Sequence, residues 1–288
     1  MDGSVLVAID LHYRYHGGVD ALSGVSFTIR RGERVGILGA NGAGKSTLVL
    51  LLAGLLKPSS GRVELFGVDT TSRSLEKVRS RLGVVFQDPE DQLFNTTVFE
   101  DVVYGPRSLG MGEAEAERSA EEALRAVNAF HLKDRPPHRL SFGEKKRVAI
   151  ATALAHKPEV LLLDEPTANL DPASRGSLVA LLKGLGSEGV TIVISTHDIE
   201  ALPDLVDRVI VLNEGKVIGD SSISGTLSNL HLLESASLAP PTMVRIVHEL
   251  KERGLIEDVP TDYRGLMGVI IRALEGRSGK NNLEKGRS

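Results

Sequence analysis

Nine consecutive residues, Gly39-Ala40-Asn41-Gly42-Ala43-Gly44-Lys45-Ser46-Thr47, match the spacing G-x-x-x-x-G-K-[ST] and carry the means to hold a polyphosphate. Glycines let the backbone take positive φ and turn successive N–H groups inward. Lys45 is the cation that reaches the terminal phosphates, and Ser46 offers a hydroxyl to Mg²⁺. A second chemical pair, Asp164-Glu165, closes the apolar run Leu161-Leu162-Leu163. An acid at the C-terminal end of a buried strand lies where nucleotide-binding sheets meet their ligand. Asp164 suits Mg²⁺, directly or through water, and Glu165 suits a base for an attacking water. Taken alone, the same pair reads as the N-cap of a following segment. Beside a phosphate loop, the catalytic reading is favoured.

The flanks must place these groups. Residues 34–38 read as a short apolar strand entering the loop, and residues 48–56 as a buried helix whose positive end faces the same anion. Strands are expected at 5–10, 25–30, 62–66 and 82–86, and residues 11–18 read as an aromatic strand end running into a Gly17-Gly18 turn. Residues 98–133 change to helices rich in Ala, Glu and Arg, and 113–129 is amphipathic. Pro136-Pro137 ends that stretch, and 144–156 forms a new helix. Apolar runs at 160–163, 190–194 and 208–212 predict strands covered on both faces, with a helix at 173–185 between two of them. Strands alternating with helices argue a parallel α/β sheet. Past Asp220 the pattern loosens to a linker at Leu238-Ala239-Pro240-Pro241, a helix over 243–253 and a second one that Thr261 caps. From Gly276 the sequence is polar, and a disordered tail is expected.

Composition narrows the function classes. At 288 residues, 41% apolar and 25% charged, the chain has an ordinary globular balance with an ample core. A net charge of −4 gives no support to a nucleic-acid partner. Without cysteine there is neither a disulfide nor a thiolate metal site. The longest apolar run, 48–56, is about half the roughly twenty residues a spanning helix needs, so a chain soluble by itself is expected, reaching a membrane through partners.

Leu140-Ser141-Phe142-Gly143-Glu144-Lys145-Lys146-Arg147, upstream of the Asp164-Glu165 strand, resembles the signature of the ATP-binding subunits of ATP-binding-cassette transporters. The resemblance covers roughly residues 5–222. It implies a P-loop NTPase cassette of the α/β class over residues 1–222: a mostly parallel sheet core, an N-terminal antiparallel β subdomain and a helical insertion at about 98–157. A small helical appendage, 223–275, and a tail, 276–288, would follow. By the same resemblance Gln87 matches the glutamine loop, touching Mg²⁺ and the attacking water, and His197 matches the switch histidine facing the γ-phosphate. Tyr15 matches the aromatic that stacks on adenine, with Tyr13 as its rival. ATP held between two cassettes implies trans contacts from Ser141, Phe142, Gly143, Glu144 and Asp171. Phe142 and Glu144 replace the usual Gly and Gln, and Glu144 would add negative charge near the triphosphate.

Residues 85–102 are similar to the energy-coupling-factor importers of micronutrients, and residues 141–151 to their cobalt and nickel branch. The implied role is an ATPase with ATP and Mg²⁺ as cofactors, paired with a second cassette, most simply as a homodimer. It would sit at the cytoplasmic face of the cell membrane, bound there through integral membrane subunits. A vitamin cargo is the nearer alternative. A nucleotide-gated clamp on nucleic acid or the ribosome is the farther one, and neither a second phosphate loop nor a basic tract supports it. Leu93, Phe94, Val98 and Phe99 are apolar in a polar stretch beside Gln87 and are expected to form a docking groove for the membrane partner. The appendage is expected to join two cassettes.

Overall fold

The computed structural model describes residues 3–254 together with Gly268 and Ile271. Two long strands open the chain, and the second starts five residues before the residue pattern predicts. β1 (Ser4–Arg14) continues past Asp10, which forms a bulge at φ 46°, and pairing resumes at Leu11 opposite Val25 of β2 (Asp20–Arg30). The bulge carries Asp10 without ending the ladder, which runs on into the expected aromatic strand end. β3 (Arg34–Leu38) enters the phosphate loop and α1 (Lys45–Leu52) leaves it. β4 (Ser60–Leu65) and β5 (Val68–Asp69) complete an antiparallel sheet ordered β2-β1-β4-β5.

After the short α2 (Glu76–Arg79) and β6 (Leu82–Val85) come three helices, α3 (Val98–Ser108), α4 (Glu113–Ala126) and α5 (Phe142–Leu154). Strands and helices then alternate: β7 (Val160–Asp164), α6 (Pro172–Ser187), β8 (Thr191–Thr196), α7 (Leu202–Leu205) and β9 (Arg208–Asn213). β10 (Lys216–Ser222) turns back antiparallel at the edge, giving the order β10-β9-β3-β8-β7-β6. The other five strands are parallel.

Alternation along those strands sets the layers. Val160 and Leu162 of β7 join α1 and the antiparallel sheet in one core, while Leu161 and Leu163 join α3, α4, α5 and α6 in the other. All four are fully buried, as a strand covered on both faces requires.

Beyond β10 the chain does not run free. α8 (Ile223–Ser228) and α9 (Leu230–Ser235) bury Leu227 and Leu233, and α10 (Thr242–Glu252) buries Val244, all against the helical core. Sequence patterning misses β10, α8 and α9. β10 alternates exposed with half-buried residues, and each helix has only six residues, too few to show a period. The second appendage helix expected after Thr261 and the tail from Gly276 lie outside the described residues.

Thr97 starts α3 with a capping box: its hydroxyl accepts the Glu100 N–H at 3.2 Å, and the Glu100 carboxylate accepts the Thr97 N–H at 3.1 Å. Thr97→Ala is expected to cost about 1 kcal/mol, read as a lower midpoint in urea at unchanged m. An unchanged midpoint rules the box out as a stabilising element.

Candidate functional site

Parallel register gathers the site at one edge of the sheet. Leu38 pairs with Thr196, and Asp164 with Ser195, so β3, β7 and β8 end level and deliver Gly39, Glu165 and His197 side by side. The loop from Gly39 is packed too tightly for side chains at two glycines. A Cβ on Gly39 would lie 2.4 Å from the Leu212 carbonyl oxygen, and Gly44 has φ 101° with the Ala21 carbonyl 2.5 Å from its Cβ position. Gly44 caps α1 without a side chain, so the first N–H groups of that helix carry no side-chain cap. Lys45 is buried, and its Nζ donates to the carbonyls of Gly39 at 2.9 Å and Ala40 at 3.1 Å.

Glu165 faces that amine with its Oε1 3.6 Å from Lys45 Nζ. The same oxygen accepts the His197 backbone N–H at 3.0 Å and lies 2.8 Å from His197 Nδ1, while Oε2 accepts the Thr196 hydroxyl at 3.0 Å. Glu165 itself has φ 46°, a conformation that is uncommon for a side-chain-bearing residue and marks the sharp exit from β7. Asp164 accepts the Ser195 hydroxyl, which fixes its carboxylate at the strand end. The structure thus brings Lys45, Asp164, Glu165 and His197 together. It adds Ser195 and Thr196 as their holders: β8 runs two residues beyond the apolar core that predicts it and is buried to its end.

Ser46, Gln87 and Asp164 line one cavity of about 410 Å³. Their hydroxyl, amide and carboxylate oxygens are the hard donors Mg²⁺ prefers, so the residues present fit that ion. The backbone of the Gln87 loop is tied to α5. Lys146 Nζ donates to the Gln87 carbonyl at 2.7 Å, and the Gln92 amide donates to the Ala149 carbonyl at 2.9 Å and the Thr152 hydroxyl at 2.6 Å. Lys146 is 0% exposed. Burial pushes its amine down to about 8, against the pull of Asp164, Glu165 and Asp88. Neither the bridging by Gln92 nor the burial of Lys146 is legible in the sequence, where Lys145-Lys146-Arg147 enters only as part of the signature-like stretch.

A second cleft, about 490 Å³, extends from Lys45 and Glu165 to Tyr15 and Val19. Its size suits a nucleotide. Tyr15 is 43% exposed, and its hydroxyl lies 2.9 Å from Thr47 Oγ1. Tyr13 packs edge-on against it with centroids 4.9 Å apart and is half-buried beside the core. Tyr15 therefore borders the cleft and Tyr13 supports it. Val19, 65% exposed at the cleft, carries no motif that points to it.

Ser141 is the N-cap of α5. Glu144 reaches back, accepting from the Ser141 N–H and hydroxyl at 2.8 Å each. Those two bonds hold the Glu144 carboxyl below its ordinary range, so the charge is real but directed at Ser141. Phe142 lines the Gln87 cavity, Gly143 follows in the first turn, and Asp171 caps α6 by accepting the Ala173 and Ser174 N–H groups at 3.0 Å. In this single chain Ser141, Glu144 and Asp171, three of the residues expected to make trans contacts, make local bonds.

A phosphate loop at the end of a parallel sheet, with a seated carboxylate and histidine opposite its lysine, defines a nucleotide-hydrolysing cassette. The model of the ABC transporter family matches residues 22–168, and the chain belongs to that family, whose cassettes hydrolyse ATP to power transport. It is 46% identical over 270 residues to an energy-coupling factor transporter ATP-binding protein, EcfA, of Carboxydothermus hydrogenoformans, covering 93% of this chain and 94% of that one. It is 50% identical over 242 residues to the cobalt import ATP-binding protein CbiO of Rhodobacter capsulatus, covering 83% and 86%. Among solved structures, CbiO1 from Clostridium perfringens, part of a CbiONQ complex, superposes with a TM-score of 0.71 at 41% identity over 85% of this chain and 99% of that one. A dimeric cassette in a post-hydrolysis state with ADP and Pi gives 0.71 at 31% identity over 76% and 98%. These relatives make it an energy-coupling-factor type cassette.

Lys45→Ala removes the cation at the loop's centre and leaves Glu165 facing two carbonyls. Calorimetric titration with ATP and Mg²⁺ is expected to show affinity lower by at least tenfold, the size of one charge-assisted contact to phosphate. Equal affinity would remove this loop as the phosphate site.

Proposed function

We propose that the chain is the ATP-hydrolysing subunit of a transporter that imports cobalt, with nickel as the second cargo, through integral membrane subunits. The observation that carries the ATPase part is Glu165, held by His197 and Thr196 and aimed at Lys45. Glu165 takes the proton of the attacking water, His197 orients Glu165 and faces the γ-phosphate, and Lys45 with the loop N–H groups holds the phosphates. Tyr15 takes adenine. Ser46, Asp164 and Gln87 would hold Mg²⁺, which supplies charge stabilisation at the phosphates when bound.

Two such chains face each other. Ser141, Phe142, Gly143, Glu144 and Asp171 meet the ATP of the partner cassette, closing the pair; hydrolysis reopens it. Residues 1–222 act as the cassette and 223–275 as an appendage that supports pairing through what α10 leaves uncovered, where Ile246 is 44% exposed. No helix among the described residues is long and apolar enough to cross a membrane. The chain works at the cytoplasmic face, attached through its partners. No nucleic acid is involved. For the cargo, the support is the identity to the cobalt import protein.

Of the apolar residues expected at the docking groove, Leu93 and Val98 are buried and Phe99 packs on the core, so those three serve packing. Phe94 is different, 67% exposed, and rests edge-on against Tyr104 with centroids 5.4 Å apart. Its turn is fixed by Asp101, which accepts the N–H groups of Phe94 at 3.0 Å and Asn95 at 2.9 Å. A rigidly presented aromatic is what an interface anchor needs.

Glu165→Gln keeps the shape and loses the base. Turnover is expected to fall by roughly 10²–10⁴ while ATP binding persists. Hydrolysis at the parent rate would show that the base is elsewhere. In vesicles carrying the membrane subunits, the wild-type complex is expected to accumulate cobalt on ATP addition, with nickel but no vitamin competing. Phe94→Ala should cut that uptake about tenfold while the ATPase rate of the isolated subunit stays at parent level, the size of one hot-spot side chain. Vitamin uptake would reassign the cargo, and full uptake by the variant would move the docking site.

A further inference from the structure

Lys146 presents a physical puzzle. It is fully buried, yet among the described residues no carboxylate lies within 4.0 Å of its amine. Its close bond is to the backbone carbonyl of Gln87, at 2.7 Å. A buried cation whose direct partners are carbonyl dipoles, with Asp164, Glu165 and Asp88 acting only from beyond 4.0 Å, costs stability relative to an apolar side chain of similar volume. Packing therefore does not explain the residue.

The neighbours of Lys146 on α5 point the same way. Lys145 pairs with Glu90, and the Gln92 side chain bridges Ala149 and Thr152 while accepting the Phe86 N–H at 3.1 Å. Positions 145, 149 and 152 follow helical spacing, so one face of α5 grips residues 86–92 along its length. The same helix begins at Ser141, whose hydroxyl and N–H point to Glu144 at its outer end. Any tilt or shift of α5 at Ser141 is thus carried to the backbone of Gln87.

We infer that Lys146 is a positioning residue: through the Gln87 carbonyl it sets where the Gln87 side chain stands, and so ties the hydrolytic site to the placement of the Ser141 end of α5. This rests on the proposed role of Gln87 at the nucleotide. The lysine does not touch the reacting atoms. It acts through Gln87 alone, and its effect belongs in turnover and not in ATP binding.

Lys146→Met, Gln87→Ala and the double variant are to be compared in steady-state ATPase assays of the full chain, with thermal unfolding alongside. The expected result for Lys146→Met is a KM for ATP within about twofold of the parent and a kcat lower by roughly 10- to 100-fold, the range for a misplaced catalytic group. Its Tm should not fall, since the cost of burying the cation is removed together with its bond to the Gln87 carbonyl. The double variant should be no slower than Gln87→Ala, because both act on one group. A parental kcat in Lys146→Met, or a further loss in the double variant, overturns the inference. If Gln87→Ala itself turns over at the parent rate, the role of Gln87 fails and the route through it with it. Should Lys146→Met not fold, Lys146→Arg asks the same question. It keeps the charge but moves the donor, and a parental kcat there counts against positioning.

Discussion

Everything at this site answers to one buried cation. Lys45 has left water, and its compensation is two loop carbonyls and the Glu165 carboxylate 3.6 Å away. A buried charge without such partners would shift or unfold its surroundings. Glycines at 39 and 44 let the loop lie against the chain opposite, since a side chain there would strike the Leu212 or Ala21 carbonyl. The carboxylate in turn is buried and requires its own donors, which Thr196 and His197 supply. In the proposed mechanism an incoming triphosphate replaces Glu165 as the counter-charge of Lys45 and leaves the carboxylate to meet a water. Ligand binding and activation of the base are then two sides of one exchange of partners.

That exchange is possible only because the strands end level. β3, β7 and β8 bring the phosphate loop, the acids and the histidine to one edge from positions 39, 164–165 and 197. A one-residue slip of β8 would exchange Ser195 and Thr196 between faces and take the hydroxyl from either Asp164 or Glu165. Register is protected by full burial on both faces, where every strand residue from Val160 to Leu163 has a core to fill. Fold stability and site geometry here share a cause.

What the sequence made legible follows the range of the signal. The phosphate loop is contiguous, so its residue types and spacing suffice to identify it. Glu165 and His197 are 32 residues apart, and only strand order and register show that they touch. Nothing local announces the bulge at Asp10. β10 carries no apolar face, and α8 and α9 are too short for a period, so their packing is a tertiary fact. Lys146 is the sharpest case. Nothing in Lys145-Lys146-Arg147 announces burial, which depends on a loop 59 residues earlier in the chain.

The two helix ends proposed to meet ATP are prepared in opposite ways. α1 starts at Gly44 with no side chain on its first N–H groups, so a phosphate finds donors already free and a helix dipole behind them. α5 starts at Ser141 with a complete capping box, its hydroxyl committed to Glu144 and the Glu144 N–H turned to Ser141 at 3.4 Å. For Ser141 to serve the ATP of a partner cassette, it must first release the Glu144 carboxylate, and that carboxylate must move away from the arriving phosphate. The loop of one chain is ready before a partner arrives, whereas the signature end becomes ready only by rearranging. In the proposed pair the closing of the two sites is then conditional on nucleotide, because a bound triphosphate offers Ser141 an acceptor to exchange for Glu144.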